Sequence, residues 1–261
     1  MNTQFYAITT KSNTHVGSGQ NSYGIVDNVV QRDYLYELPC INSTSLKGAL
    51  REYAEHIKCS NIEGIFGSKP NEEVANNLKQ GTHYFHQAYL ISFPMRSNNM
   101  QFFNATCPKL LQQVKNSLPE NHSLIKEIND LLDKNEVRNI TLNNPISATH
   151  NDAIIEKHSI TTTKIENVFS DEIKKLIGDN PLLMHDNTFK QLVKKLPIIT
   201  RNQLENGQSA NLFYEEVVPR ETRFGFKIQA SGIDSYFDTI ADIQIGANAT
   251  VGYGFCSLTK I

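Results

Sequence analysis

The amino-acid sequence predicts an α+β fold, and three observations carry that prediction. Strand-like and helix-like hydrophobic periods both occur along the 261 residues, without the regular strand–helix repeat of a parallel α/β protein. The first long amphipathic segment, Ser43–Lys58, lies between a strand-like opening and a pair of aromatic-rich strands. From Pro197 the chain returns to alternation on either side of a turn signal at Glu205–Gln208, as a long hairpin does.

Taken in order, residues 4–11 (QFYAITTK) read as the opening strand. The stretch from Gly17 to Gly24 is polar and Gly-punctuated and reads as irregular. In Ser43–Lys58, residues Ser43, Thr44 and Ser45 offer N-caps, and Leu46, Ala49, Leu50, Tyr53 and Ile57 recur at helical spacing. After Gly64–Gly67 a short helix is expected at Asn71–Gln80. Two strands follow, HYFHQAYLISFP and MQFFNATCP, joined by a turn at Ser97–Asn99. Residues 108–134 read as helices broken at Pro119. Residues 138–170 are polar and Thr-rich, and with a helical patch at 170–195 they make an inserted region, 138–195, an excursion from the main body. A hairpin is expected at about 197–225. Asp234 or Ser235 then caps a short helix, SYFDTIADI, and IQIGANATVGYGFCSLTKI closes the chain as a Gly-rich loop and a strand. Strand–helix–strand–strand–helix–strand is the order of a ferredoxin-like (RRM-like) α+β sandwich, here one domain over 1–261 with large insertions.

Charge narrows the function. The 25 Lys+Arg and 27 Asp+Glu give a formal net charge of −2, which excludes coating of nucleic acid by bulk charge. Any RNA contact therefore rests on local patches. Hydrophobic residues, 39% of the total and spread along the chain, exclude disorder as the dominant state. The start, MNTQFYAITT, has no basic and then apolar leader, and no apolar run approaches the roughly 20 residues of a membrane span. A cytoplasmic protein with no membrane partner is expected. Cys40, Cys59, Cys107 and Cys256 are scattered without a CxxC pair, against a structural zinc site.

Three segments bear on chemistry. GSGQNSYG, with Gly17 and Gly19, has neither dinucleotide-binding spacing nor the Lys-Ser/Thr of a P-loop. It fits a plain surface loop, and equally a backbone that must approach a phosphate where Cβ would obstruct. Asp27, in GIVDNVVQRD, has no carboxylate or His partner at metal-ligand spacing, and a lone loop Asp is usually a turn or cap residue. Arg32 and Asp33 read as a local ion pair or backbone contact. NSTSLKGALR sets helix-start N–H groups beside the Ser43 and Ser45 hydroxyls, with Lys47 and Arg51 four apart on one face. That suits a phosphate and is equally an ordinary capped helix. Between Lys190 and Lys227, residues Lys195, Arg201, Arg220 and Arg223 contribute to a local basic excess. Phe213, Tyr214, Phe224 and Phe226 lie among them, placed either to stack on bases or to pack the hairpin.

Together and in this order, several segments resemble the RAMP superfamily of CRISPR proteins. They are HVGSG (15–19), GIVDNVVQRD (24–33), LPCINSTSLKGALR (38–51), IFGS (65–68), AYLISFPMRS (88–97) with TCP (106–108), NLFYEEVVPRET (211–222) and IQIGANATVGYGF (243–255). Within the superfamily the resemblance is to the backbone subunits of type III-B (Cmr) RNA-silencing complexes, and it leaves residues 138–195 unmatched. It implies a ferredoxin-like palm with a projecting β-hairpin thumb. It also implies copies stacked head to tail on a CRISPR guide RNA, other Cmr subunits as partners, and a thumb that splays a nucleotide from the guide–target duplex. The implied activity is that of a metal-dependent endoribonuclease (Mg or Mn) cutting complementary target RNA at regular intervals.

The family's cleaving carboxylate falls on Asp27, which would also hold the metal, and His15 is a candidate for proton transfer or phosphate contact. The RNA-binding candidates are Gly17, Gly19, Arg32, Ser43, Ser45, Lys47, Arg51, Lys195, Arg201, Arg220, Arg223, Gly246, Gly252 and Gly254. Three alternatives accompany this reading. One is a non-catalytic backbone subunit with a structural Asp27. Another is a metal-independent ribonuclease that processes precursor CRISPR RNA with His15 as general base. The third is an α+β protein binding a small phosphorylated ligand at the 42–51 helix start.

Overall fold

A computed structural model describes residues 1–20, 24–69, 78–158 and 160–261. Strand β1 (Asn2–Thr10) is apolar on both faces because it lies at the centre of a large sheet. Next come β2 (Gly17–Gln20), β3 (Asn28–Val30) and β4 (Cys40–Ile41), then helix α1 (Ser43–His56), which buries Leu46, Leu50 and Ala54. The stretch from Gly17, expected to be irregular, begins as a strand, because the β3 backbone pairs with it antiparallel. Pairing with a neighbour outweighs the weak local preference of Gly and Ser.

Beyond α2 (Ile62–Phe66), the helix expected at Asn71–Gln80 falls mostly outside the described residues. Strands β5 (Tyr84–Phe85), β6 (Ala88–Arg96) and β7 (Phe102–Thr106) follow, and then α3 (Pro108–Ser117), α4 (Ser123–Leu132) and α5 (Asn135–Arg138).

Between 138 and 195 lie β8 (Ile146–Ser147), β9 (Thr163–Lys164), α6 (Asp171–Ile177), β10 (Pro181–Leu183) and α7 (Asp186–Val193). The helical patch expected over 170–195 is thus split by a strand. Gly178, at φ +127°, ends α6, and the fully buried Pro181–Leu183 adds parallel to β7. These strands extend the main sheet rather than standing off it.

The hairpin of β11 (Ile198–Glu205) and β12 (Gln208–Glu216) turns at Asn206–Gly207, both at positive φ as a two-residue hairpin turn requires. Residues 223–225, expected within the hairpin, belong instead to β13 (Arg223–Ala230). Phe224 and Phe226 are 1% exposed there, so they pack the core and do not stack on bases. The expected short helix is a 3-10 turn at Ser235–Thr239. Strand β14 (Asp242–Gln244), not foreseen, and β15 (Phe255–Lys260) complete the chain.

The main sheet runs β14-β15-β1-β13-β6-β7-β10-β8-β9, with β15-β1-β13-β6 antiparallel throughout. One face buries Tyr6, Ile8, Phe224 and Phe226 with α1, α2 and the 3-10 turn. The other buries Phe5, Ala7 and Ile91 with residues of α3, α4 and α6. A second sheet, β11-β12-β3-β2, ties the hairpin foot to the loop after β1. Among the described residues no helix is long and apolar enough to cross a membrane.

Candidate functional site at the hairpin foot

Strand β12 leaves the exposed hairpin and enters the core between Tyr214 and Glu215, where it runs parallel to β3 with Glu215 opposite Asn28. This register brings Asp27 against Tyr214. The Asp27 N–H donates to the Tyr214 carbonyl (3.1 Å), and the Tyr214 N–H donates to Asp27 Oδ2 (2.8 Å). The Asp27 carboxylate is therefore exposed at the surface yet held from one side, with Oδ1 unused by the described residues.

Behind it lie two carboxylates that the sequence reading passed over, Glu215 (3% exposed) and Glu216 (9%). Both Glu215 oxygens accept from Asn248 Nδ2 at 3.1 Å, and Arg201 Nε reaches Oε2 at 2.9 Å. Arg201 also lies 4.8 Å over the Tyr253 ring. Glu216 accepts from the Val30 N–H (3.1 Å) and from Arg32 (2.6 Å). The pair thus ties the hairpin to the Gly-rich terminal loop on one side and to β3 and its following turn on the other. Two adjacent Glu beside Val217–Val218 was the available signal. Only a strand passing from solvent into a polar seam gives both carboxylates buried partners.

His15 is 5% exposed. Its Nδ1–H donates to the Glu216 carbonyl (2.7 Å), and its Nε2 faces Glu215 Oε1 at 3.8 Å. The ring is a strut beneath the hairpin foot, turned to the Glu pair. Gly17 is the residue that makes room for it, since a Cβ there would sit 3.0 Å from Nε2. Gly246 (φ +92°) lets the terminal loop close on the His15 carbonyl, which the Ala247 N–H meets at 2.8 Å. Gly252 and Gly254 are also at positive φ, and Gly19 (φ +103°) stands in open space.

The remaining predicted residues divide. At α1, Gln31 bridges Ser45 Oγ (2.9 Å) and the Asn42 N–H (2.7 Å), Ser43 is partly exposed, and Asn42 makes no side-chain cap. Lys47, on the same helix, is partly exposed. Arg51 pairs with Glu55 (3.1 Å), and Lys69 and Arg51 together hold the Glu55 carboxyl below its usual range. Arg32 pairs with Glu216, not with Asp33, whose Oδ1 accepts from the Leu35 and Tyr36 N–H groups in a local turn. Arg223 lies away from the foot, where its guanidinium caps the Lys175 and Leu176 carbonyls at the end of α6 and burial lowers its pKa. Lys195 and Arg220 are exposed. Among the described residues no group of three or more His, Cys, Asp or Glu is placed to hold a metal. One exposed carboxylate fits a hydrated Mg²⁺ shared with a phosphate, not a fully protein-ligated ion.

A mixed sheet with a hairpin standing on a buried Glu–His–Arg seam defines an elaborated α+β protein. The RAMP superfamily model matches residues 7–257, and the chain belongs to that superfamily. It is 28% identical over 288 residues to the CRISPR system Cmr endoribonuclease Cmr4 of Pyrococcus furiosus, covering 99% of this chain and 96% of that protein. Its fold is similar to a chain of the type III-B Cmr-beta complex bound to cognate target RNA. The TM-score there is 0.82 at 20% identity, covering 100% of this chain and 97% of that one. The fold is also similar to that of oligomeric Cmr4 from Pyrococcus furiosus, with TM-score 0.68 at 22% identity over 100% and 99% of the two chains. The resemblance read from the sequence is borne out: the chain is a Cmr4-like RAMP protein.

Proposed function

We propose that this chain is a repeating backbone subunit of a type III-B CRISPR ribonucleoprotein that binds guide RNA and cuts complementary target RNA at Asp27. The β15-β1-β13-β6 core is its ferredoxin-like palm, and the β11–β12 hairpin its thumb. The observation that carries the reading is the reciprocal hydrogen bonding of Asp27 and Tyr214, which fixes a solvent-facing carboxylate at the foot of the projecting hairpin.

RNA brings its own nucleophile, the 2′-hydroxyl next to the scissile phosphate. The demanding step is to turn that oxygen in line with the departing 5′-oxygen. A hairpin that wedges a nucleotide from its stack supplies this geometry, the large positional contribution to catalysis. On this reading Asp27 Oδ1 takes up the 2′-hydroxyl proton directly or through water, and the Tyr214 N–H, bonded to Oδ2, supports it by fixing the carboxylate. Asp27 would also hold a hydrated Mg²⁺ or Mn²⁺, which when bound offsets charge on the phosphate oxygens. On this reading His15 supports the foot from below and takes no proton from RNA.

In the assembled complex, Asp27→Ala is expected to abolish target cutting while guide and target stay bound, because other groups hold the RNA. Cleavage at the wild-type rate by that variant would remove the Asp27 assignment. A 2′-deoxy residue at the scissile position should block cutting, and normal cleavage of that substrate would replace the 2′-hydroxyl with an activated water.

A further inference from the structure

The sheet face that buries Phe5 and Ala7 is covered only in part. The helices on it pack over β6, β7 and β13. Beyond β1 the outward positions of β15 stay open: Phe255 and Thr259 are exposed and Ser257 is partly so, while Cys256 and Leu258 point into the opposite core. Phe255 is 49% exposed, and its backbone is hydrogen-bonded on both sides of the ring's Cα. Its carbonyl accepts from the Lys11 N–H (2.7 Å) and Ser12 N–H (3.3 Å), and its own N–H donates to Ser12 Oγ (3.1 Å).

Past the last β1–β15 pair, Thr10 opposite Cys256, that Lys11 N–H contact sets exposed Lys11 beside Phe255. Across β1 from Lys11, the tight turn carrying exposed Arg220 is held by the Glu221 N–H on the Thr10 carbonyl (2.7 Å). Neither Lys11 nor Arg220 makes an ion pair among the described residues; the carboxylates nearby are Glu221, partly exposed in the turn beside Arg220, and Asp242, a row away opposite Ser257. Two residues back along the chain from Phe255, Tyr253 lies under Arg201 and continues the aromatic line towards the hairpin foot.

We infer that Phe255, Lys11 and Arg220 form a second RNA subsite, in which a base stacks on the Phe255 ring while the two cations meet its flanking phosphates. An exposed aromatic face with two cations to one side of it matches single-stranded nucleic acid, whose bases all offer a π-face and whose backbone is anionic. The inference rests on the reading of the chain as an RNA-binding subunit, and it names a place where that RNA is held apart from Asp27.

The sequence contains no Trp, so Phe255→Trp in the full chain places at the subsite a single Trp that can be excited apart from the ten Tyr. Titration with an unstructured oligouridine should quench its emission. Phe255→Ala should weaken binding about tenfold, Phe255→Tyr should restore it, and Lys11→Ala with Arg220→Ala should flatten the salt dependence. The ring is exposed, so thermal unfolding of Phe255→Ala should match wild type. If wild type binds the RNA and Phe255→Ala binds it equally well with no quenching in Phe255→Trp, the subsite is refuted. A Phe255→Ala variant that loses self-association but not RNA would also refute it, in favour of a contact between copies. Failure of wild type to bind RNA would instead overturn the parent reading.

Discussion

Removing the Glu215 side chain tests the polar seam under the hairpin most directly. Glu215→Ala deletes the hydrogen bonding of Asn248 Nδ2 to both carboxylate oxygens (3.1 Å each) and the Arg201 ion pair (2.9 Å) from a carboxylate that is 3% exposed. Hydrogen bonds to a buried charge contribute about 1.5–3 kcal/mol each, and stripping one partner from a buried ion pair costs about 3–5 kcal/mol. Arg201 tempers this, because its side chain is 22% exposed and can swing into water. The expected loss is therefore about 3 kcal/mol, roughly 6–12 °C in the unfolding midpoint for a chain of this length. Glu215→Gln should lose about half as much. Its carbonyl still accepts from Arg201 or Asn248. Urea and thermal unfolding of both variants read the stability, and target cutting by the assembled complex reads the placement of Asp27. Glu215→Ala within about 0.5 kcal/mol of wild type, with cutting unchanged, would show that the seam does not position the foot.

Two further outcomes follow from the same structure. Gly246→Ala would drive a methyl into the His15 carbonyl at φ +92° and should cost about 3 kcal/mol, whereas Gly252→Ala, strained but in open space, should cost about 1 kcal/mol in the same unfolding assay. His83 is 8% exposed, and burial lowers its pKa while its Nε2 accepts from the Asp234 N–H. The unfolded chain therefore binds the proton first, and stability should fall as pH drops below about 6.5. Replacing His83 with Gln should flatten the urea midpoint between about pH 5 and 7; an unchanged slope would clear His83 of the effect.

Elements that carry their own instructions were legible in the sequence, and those made by distant partners were not. The apolar period of α1 and the Asn206–Gly207 turn are local, and both stand where they were expected. Strands β2 and β10 are short and owe their pairing to chain far away, so their composition does not announce them. The site divides the same way. The Asp27 loop and the Gly-rich terminal loop were found by motif, but the Glu215–Glu216 seam joins residues 201, 248, 15, 30 and 32 across most of the chain. A residue's partner decides its role, and single-sequence periodicity holds no record of partners 184 positions away, as Arg32 and Glu216 are.

Those same partners revise the charge argument. Of the cations in the basic stretch, Lys190 and Lys194 pair with Glu37, Arg201 with Glu215, and Arg223 turns to the end of α6. What that stretch leaves exposed and without an ion pair among the described residues is Lys195 and Arg220, with Lys227 partly exposed, and Lys11, Lys58, Lys79, Lys126 and Lys157 are scattered elsewhere. A single-stranded polyanion gains a salt slope of about −0.7 per neutralised phosphate, so a copy using three or four such contacts has a slope near −2 to −3 and binds weakly alone. On the proposed reading this is an advantage. A net charge of only −2 per chain keeps the repulsion between stacked copies small, and a shared guide turns each further contact into an intramolecular one. Affinity should then climb steeply with the number of copies on one RNA, because the array and not the single chain holds the strand.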